Sequence, residues 1–449
     1  MQSQRLLVST LLTATLGSGA LCATVSAQQL QMEVALANPK LQAGKKNTTY
    51  LKVGLTGFEF PNQEDRPPVN VALVIDRSSS MGGEKIVQAR KAATMAIERL
   101  QPSDIVSVIA YDNSVEVLAP ATKLTDKAQV LRCIEELTPR GSTALFAGVS
   151  KGAAELRKFL AEERVNRVIL LSDGQANVGP QSPGELGELG ASLVKEGISV
   201  STIGLGLGYN EDLMAKLAFK SDGNHIFVED ESQLVAIFNE EFGDILSVAA
   251  QEVLVRIECA PGIRPVRTLG RESDISGQSV ITTINQIYSR QEKFVILEIE
   301  VPEGKTNSAR DVASVSVSYA NMLTRTPDEL TSKLAVRFVP GEDAVAESIN
   351  RKVMSQSILL VATGENERAV KLRDAGKVEE ASQVLTENWG YLNANAQALD
   401  SEELAEYAEK NRGDAEAVKE ADWARSRKIM VQDAYVNKAQ LKSELKTAR

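Results

Sequence analysis

Histidine is nearly absent from the 449 residues, and cysteine is scarce at three. Any Ser-His-Asp or Cys-His pair would have to use His225, and a lone histidine removes most general-base and zinc mechanisms. His225 precedes Ile226-Phe227-Val228 and reads as the opening of an edge strand with a structural role, so no enzyme is expected. Excess positive charge is also lacking. Asp and Glu outnumber Lys and Arg by 60 to 50, a net charge of -10, and no basic patch stands out, which excludes nucleic acid and anionic membrane surfaces as partners. Past the first residues there is no apolar run of about 18 or more, so no later segment is expected to span a bilayer.

The cysteine count is equally restrictive. Cys22 lies in an N-terminal leader, and bulky Leu21 before it argues against a lipid-attachment site. Cys133 and Cys259 remain, too few to staple a chain of this size, so stability must come from apolar cores. They read either as two buried thiols or as a single interdomain bridge.

What is present suits folded domains: 43% hydrophobic and 24% charged residues, with no long polar or Pro-rich tract. At about 150 residues per domain the length implies roughly two to four units. Residues 1–27 read as a secretory signal, with Arg5 ahead of the apolar stretch Leu6 to Leu21 and Val25-Ser26-Ala27 as a cleavage site. Export to the periplasm or the extracellular space is therefore expected. Residues 28–68 alternate like strands and end in a charged, Pro-containing connector from Pro61 to Pro68.

Residues 69–247 change pattern. Short β-branched runs at 69–75, 105–110, 165–171 and 198–203 alternate with amphipathic helical stretches at 85–100, 127–137, 145–160, 185–195, 211–219 and 231–246. Repeated strand-then-helix predicts an α/β fold with a doubly wound, mostly parallel sheet, whose strand ends converge on one edge. Residues 248–340 return to alternation and predict an antiparallel β-sandwich, to which the strands of 28–68 belong if the α/β unit is an insertion. Residues 341–449 are helical. Ala369, Leu372, Gly376, Ala381 and Leu385 are spaced like half a tetratricopeptide-type hairpin with its turn at Gly376-Lys377, and the stretch from Asp400 to Arg449 reads as a charged, solvated run of helices. Trp389 and Tyr391 read as interhelical anchors.

The chemistry-bearing stretch is Asp76-Arg77-Ser78-Ser79-Ser80-Met81, placed where the first core strand stops. Alone, it equally describes a strand-to-helix turn capped by hydroxyls. Two further pieces follow: Thr143 before the helix at Leu145, and Asp173 where the strand 165–171 stops. All three loops leave the same sheet edge. Hard oxygen donors suit a hard cation: Ser78, Ser80 and Thr143 as direct ligands, with the Asp76 and Asp173 carboxylates holding waters and hydroxyl protons around them. So few anionic ligands leave the ion positive and open to an outside carboxylate. Gly204, Gly206 and Gly208 follow the fifth strand without the Lys-Ser/Thr of a phosphate loop, so they read as a tight loop beside this edge.

Together these pieces resemble the metal-ion-dependent adhesion site of von Willebrand factor A and integrin inserted domains, over roughly residues 69–246. Thr202 to Gly206 and Tyr209 to Leu213 are similar to a late strand and loop of bacterial members, and the layout with leader, flanking strands and helices is similar to bacterial secreted proteins of this kind. The resemblance implies Mg²⁺, or Mn²⁺ or Ca²⁺, held by Asp76, Ser78, Ser80, Thr143 and Asp173, and a partner protein presenting Asp or Glu in adhesion or scaffolding. Two other roles are open to such a domain: an accessory subunit of a metal chelatase or ATP-driven remodelling complex, against which the leader counts, and a structural envelope protein stabilised by its metal.

Overall fold

The computed structural model describes residues 29–441; the expected signal segment 1–27 lies outside them. Three strands come first, β1 (Gln31–Leu36), β2 (Lys40–Gln42) and β3 (Asn47–Thr56). The α/β unit follows with β4 (Val69–Asp76), α1 (Glu84–Arg99), β5 (Ile105–Tyr111), β6 (Val115–Lys123), α2 (Lys127–Glu135), α3 (Leu145–Leu156), β7 (Val165–Ser172), α4 (Pro183–Val194), β8 (Ile198–Leu205), α5 (Glu211–Lys220), β9 (His225–Val228) and α6 (Leu234–Ile245).

The expected α/β fold is present. Its sheet has the order β6-β5-β4-β7-β8-β9, parallel except for β6. Alternation along β4 explains the two covering layers. Val69, Val71, Leu73 and Ile75 face α1, α2 and α6, whereas Ala72 and Val74 face α3, α4 and α5. Each large side chain so buried contributes about 1.5–3 kcal/mol over an exposed one, which holds the helices on both faces. From β4 the chain turns to β5 on one side and later to β7 on the other, so the strand order reverses between β4 and β7. The crevice at such a switch point, beyond the carboxyl ends of the strands, is where the fold leaves room for a ligand. Asp76 ends β4 and Ser172 ends β7.

The strand β6 was not anticipated: Pro120 sits within it, and an edge position tolerates a residue without an N–H. The α-helix expected over 231–246 begins at Leu234, after a 3-10 turn at Glu231–Gln233, and that expected over 145–160 passes into a similar turn at Arg157–Phe159.

Seven more strands follow, β10 (Val248–Cys259), β11 (Arg264–Leu269), β12 (Asp274–Ser276), β13 (Ser279–Tyr288), β14 (Glu292–Val301), β15 (Ala309–Asn321) and β16 (Thr326–Val339). A sheet β1-β3-β14-β11 faces a sheet β12-β13-β10-β15-β16-β2, and their inner residues share one core that includes Leu51, Val53, Val255, Val295, Leu297 and Val317. Strands from both sides of the α/β unit therefore build one sandwich, with β3 and β14 paired antiparallel from Asn47↔Val301 to Thr56↔Glu292. Cys133 and Cys259 are both free thiols, Cys259 buried on β10, so the interdomain bridge is not formed.

The helical region comprises α7 (Glu342–Ala346), α8 (Arg351–Asp374), α9 (Val378–Leu399), α10 (Glu402–Ala417) and α11 (Trp423–Ala439). It is packed against the other units. Leu360 of α8 covers Leu269, Phe294 and Ile296 on the outer face of the four-stranded sheet, so the middle of β14 is buried on both faces and reads as an unbroken apolar run from Phe294 to Leu297, whereas Glu298 to Val301 beyond it alternates. The solvated run expected from Asp400 onward is corrected by α11, where Lys428 and Tyr435 are buried. Gln432 explains part of the docking: its Oε1 accepts from the Phe227 N–H (3.1 Å) and its Nε2 donates to the His225 carbonyl (3.2 Å), which closes the open edge of the parallel sheet at β9. His225 is thus buried beneath a helix. Trp389 is half-buried among α8, α9 and α10, whereas Tyr391 is exposed and anchors nothing in their core. Among the described residues, no helix is long and apolar enough to cross a membrane.

Candidate metal site

The sheet edge gathers all five residues singled out from the sequence. Asp76 and Ser78 are buried, Ser80 is open to solvent, and Thr143 and Asp173 close the far side. Asp76 works through both carboxylate oxygens: Oδ1 accepts from the Ser78 N–H (2.8 Å) and Oδ2 from the Ser172 hydroxyl (2.6 Å). The Ser78 and Ser80 hydroxyl oxygens lie 3.0 Å apart, and the Ser80 hydroxyl donates to Asp173 Oδ1 (2.7 Å). Gly174 keeps the cradle open. A Cβ there would stand 2.9 Å from Thr143 Oγ1 and 3.5 Å from Ser80 Oγ, so any side chain at 174 would fill the space between those hydroxyls.

Loops are held in this arrangement by bonds between segments far apart along the chain. Thr143 is clasped from the β7–α4 loop: its N–H donates to Asn177 Oδ1 (2.8 Å) and its carbonyl accepts from the Asn177 N–H (3.1 Å). The Gly141 carbonyl accepts from both the N–H and the hydroxyl of Ser79 (3.1 Å each), tying the loop before α3 to the loop after β4. Behind them, Asp112 Oδ2 accepts from Arg77 Nε and Arg140 Nε (2.9 Å each). Burial opposes the charge on Asp112, yet hydrogen bonds from Arg140, Ser114 and Arg77 hold its carboxyl well below the usual range. The glycine loop after β8 lies alongside, with Gly206 at φ +65 and Gly208 so near that a Cβ on it would be 2.9 Å from the Asp173 carbonyl. Leu207 between them is exposed at 45%.

One charged neighbour was not foreseen. The Lys85 ammonium, in the first turn of α1, donates to Asp173 Oδ2. A signal did exist: a lysine at the positive end of a helix dipole is unfavourable unless an anion stands opposite.

The donor set fits a hard divalent cation. The polar side-chain atoms of Ser78, Ser80, Thr143, Asp76 and Asp173 are all oxygens, and two hydroxyl oxygens 3.0 Å apart match adjacent corners of an octahedron with arms of about 2.1 Å. Among the described residues, no group of three or more His, Cys, Asp or Glu is gathered for a metal, so softer or carboxylate-rich sites have no counterpart here. Burial pushes the Asp76 carboxyl up to about 6, against hydrogen bonds from Ser172 and Ser78 and with repulsion from Asp173 added. A positive charge in the cradle would relieve that strain on the ionised form.

The comparisons agree with the fold. Residues 70–240 match the family described as von Willebrand factor type A domain, and this stretch is such a domain. A Synechocystis protein, sll0103, is 25% identical over 340 residues, covering 72% of this chain and 80% of the relative. Escherichia coli YfbK is 26% identical over 50% of this chain, and the human inter-alpha-trypsin inhibitor heavy chain H3 is 28% identical over 41%. The chain spans only 39% of YfbK and 22% of that heavy chain. Among solved structures, a von Willebrand factor type A protein from Catenulispora acidiphila superposes with a TM-score of 0.67 at 16% identity, covering 90% of this chain and 93% of that one. The ArnB paralog VWA2 from Sulfolobus acidocaldarius gives 0.62 at 20% identity, covering 92% and 100%. These two likenesses concern the fold, and they extend it over the sandwich and the helices.

Proposed function

We propose, from a von Willebrand factor type A domain whose five oxygen donors converge at one sheet edge, that this chain is an exported protein-binding module of the adhesion or scaffold kind that depends on a divalent cation. The observation that carries the reading is the cradle: Ser78, Ser80 and Thr143 hydroxyls around an open space, with Asp76 and Asp173 oriented behind them. Those residues would hold Mg²⁺, or Mn²⁺ or Ca²⁺. When bound, the ion supplies a Lewis-acidic position that accepts a carboxylate oxygen from a partner's Asp or Glu. The chain's own part is to orient: Asp76 fixes the Ser78 backbone and the Ser172 hydroxyl, Asn177 fixes Thr143, and exposed Leu207 offers an apolar contact beside the acidic residue. Relatedness of the α/β region to inter-alpha-trypsin inhibitor heavy chains supports a role in protein binding, and the leader at residues 1–27 supports export.

Calorimetric titration of Mg²⁺ into the purified chain tests the reading. Heat of binding is expected for the wild type and none for Asp76→Ala or Thr143→Ala. Peptides displaying Asp or Glu should then be retained by the wild type and released by EDTA. A silent wild-type titration, or retention that ignores EDTA, would sink it.

A further inference from the structure

Lys85 is a charged side chain that the cation reading leaves over. It stands in the first turn of α1 with its side chain 28% exposed, while its partner Asp173 is fully buried. Asp173 is divided between two neighbours: Oδ1 accepts from the Ser80 hydroxyl that faces the cradle, and Oδ2 accepts from the Lys85 ammonium. The ammonium is therefore one carboxylate width from the space where a divalent ion would sit. It also stands at the positive end of a helix, where its charge is disfavoured, so Asp173 is what holds it there. Gly206 lies beside it: a Cβ on that residue would be in van der Waals contact with the end of the Lys85 side chain, 3.8 Å from its ammonium nitrogen.

We propose that Lys85 is the affinity-setting residue of the site, a tethered cation that neutralises Asp173 when no metal is bound and that opposes metal entry. The inference rests on the cation reading above. Two effects act in the same direction. A bound divalent ion repels the ammonium across a single carboxylate, and the Lys85–Asp173 pair must weaken for Asp173 to serve the ion. Lys85 also keeps a buried carboxylate from standing uncompensated in the empty cradle. A lysine in this position thus trades cation affinity for a cradle that stays folded without its ion. It acts through Asp173 and is a positioning residue; no contact with a partner is assigned to it.

The test compares the purified wild-type chain with Lys85→Met and Lys85→Arg by titration with Mn²⁺, the free ion being counted by electron paramagnetic resonance, and by thermal melting in EDTA and in saturating Mg²⁺. Lys85→Met is expected to bind Mn²⁺ about tenfold more tightly than the wild type, to melt lower in EDTA, and to gain more from Mg²⁺ than the wild type gains. Lys85→Arg, which keeps the charge, should stay within about threefold of the wild type. Should Lys85→Met not fold in EDTA, Lys85→Gln carries the same expectation. Equal or weaker Mn²⁺ binding by the neutral variant, with the wild type binding normally, overturns this inference and leaves the cation site standing. Absence of Mn²⁺ binding by every protein overturns both.

Discussion

At the scale of single residues, burial decides which side chains carry charge. Asp76 ends a strand with no exposed surface, and its carboxyl is pushed up to about 6 because water is absent and Asp173 is near. His225 is the opposite case. Burial holds its ring neutral, with a pKa lowered to about 3, while Glu211 and Lys428 act weakly in opposite senses; its Nδ1 lies 2.8 Å from Thr202 Oγ1. The sign of its effect follows from linkage. Between about 6.5, its unfolded value, and about 3, the unfolded chain holds one more proton than the folded one, so stability falls as pH falls, by at most about 1.4 kcal/mol per pH unit. Melting temperatures measured from pH 7 down to pH 4 should therefore drop more steeply for the wild type than for His225→Phe. Parallel curves would show that His225 does not titrate between the two states.

At the scale of elements, α11 does work that its charged sequence conceals. Gln432 bonds the N–H of Phe227 and the carbonyl of His225, and eight residues later Gln440 repeats the pattern on β14, accepting from the Phe294 N–H (2.7 Å) and donating to its carbonyl (2.9 Å). The two amides take the place of a neighbouring strand on two different sheets. One turn before Gln432, Lys428 donates to the Tyr209 carbonyl (2.7 Å) and pairs with Glu211, fastening the helix to the loop that runs past Asp173. Replacing Gln432 by Ala leaves a buried N–H and carbonyl without partners, a loss of about 1–3 kcal/mol. Urea unfolding should detect it, together with faster hydrogen exchange at Phe227. An unchanged midpoint and unchanged exchange would mean that the β9 edge does not depend on α11.

At the scale of the whole molecule, the sandwich and the α/β unit are joined by a buried polar centre. Arg167 on β7 is fully buried and donates to Ser201 Oγ (2.7 Å), to Glu241 on α6 (3.3 Å), and to Gln286 and the Tyr288 hydroxyl (2.6 Å) on β13. Asn224 also donates to Glu241 (2.7 Å). Taking away the guanidinium strands the Glu241 carboxylate away from water and frees the two side chains of the sandwich. Arg167→Met is therefore expected to cost about 3–5 kcal/mol and to split a single urea transition into two as the units uncouple. A single transition lowered by less than about 1 kcal/mol would show that other contacts hold the units together.

Much of the fold was legible in the chain because period and chemistry agree locally. The β-branched runs at 69–75 and 165–171 are largely apolar on both alternating faces, as strands covered on both sides require, with Asn70, Asn166 and Arg167 near their starts as the exceptions. The helices between them carry one apolar stripe each. The oxygen donors were legible for the same reason, since Asp76, Ser78 and Ser80 follow a strand end and Asp173 follows another. What sequence could not settle depends on groups far apart along the chain. Lys85 meets Asp173 across 88 residues, Asn177 clasps Thr143 across 34, and Gln432 reaches Phe227 across 205. An asparagine or a glutamine looks like any solvated polar residue until its partner is in place, and a lysine at a helix start calls for an anion without saying which one. The sequence alone thus determined the sheet, its layers and the donor types at its edge, because neighbouring residues dictate them. Only the tertiary structure decided which charges are buried, which edge is closed and what stands beside the cradle, because desolvation and pairing exist only once distant segments meet.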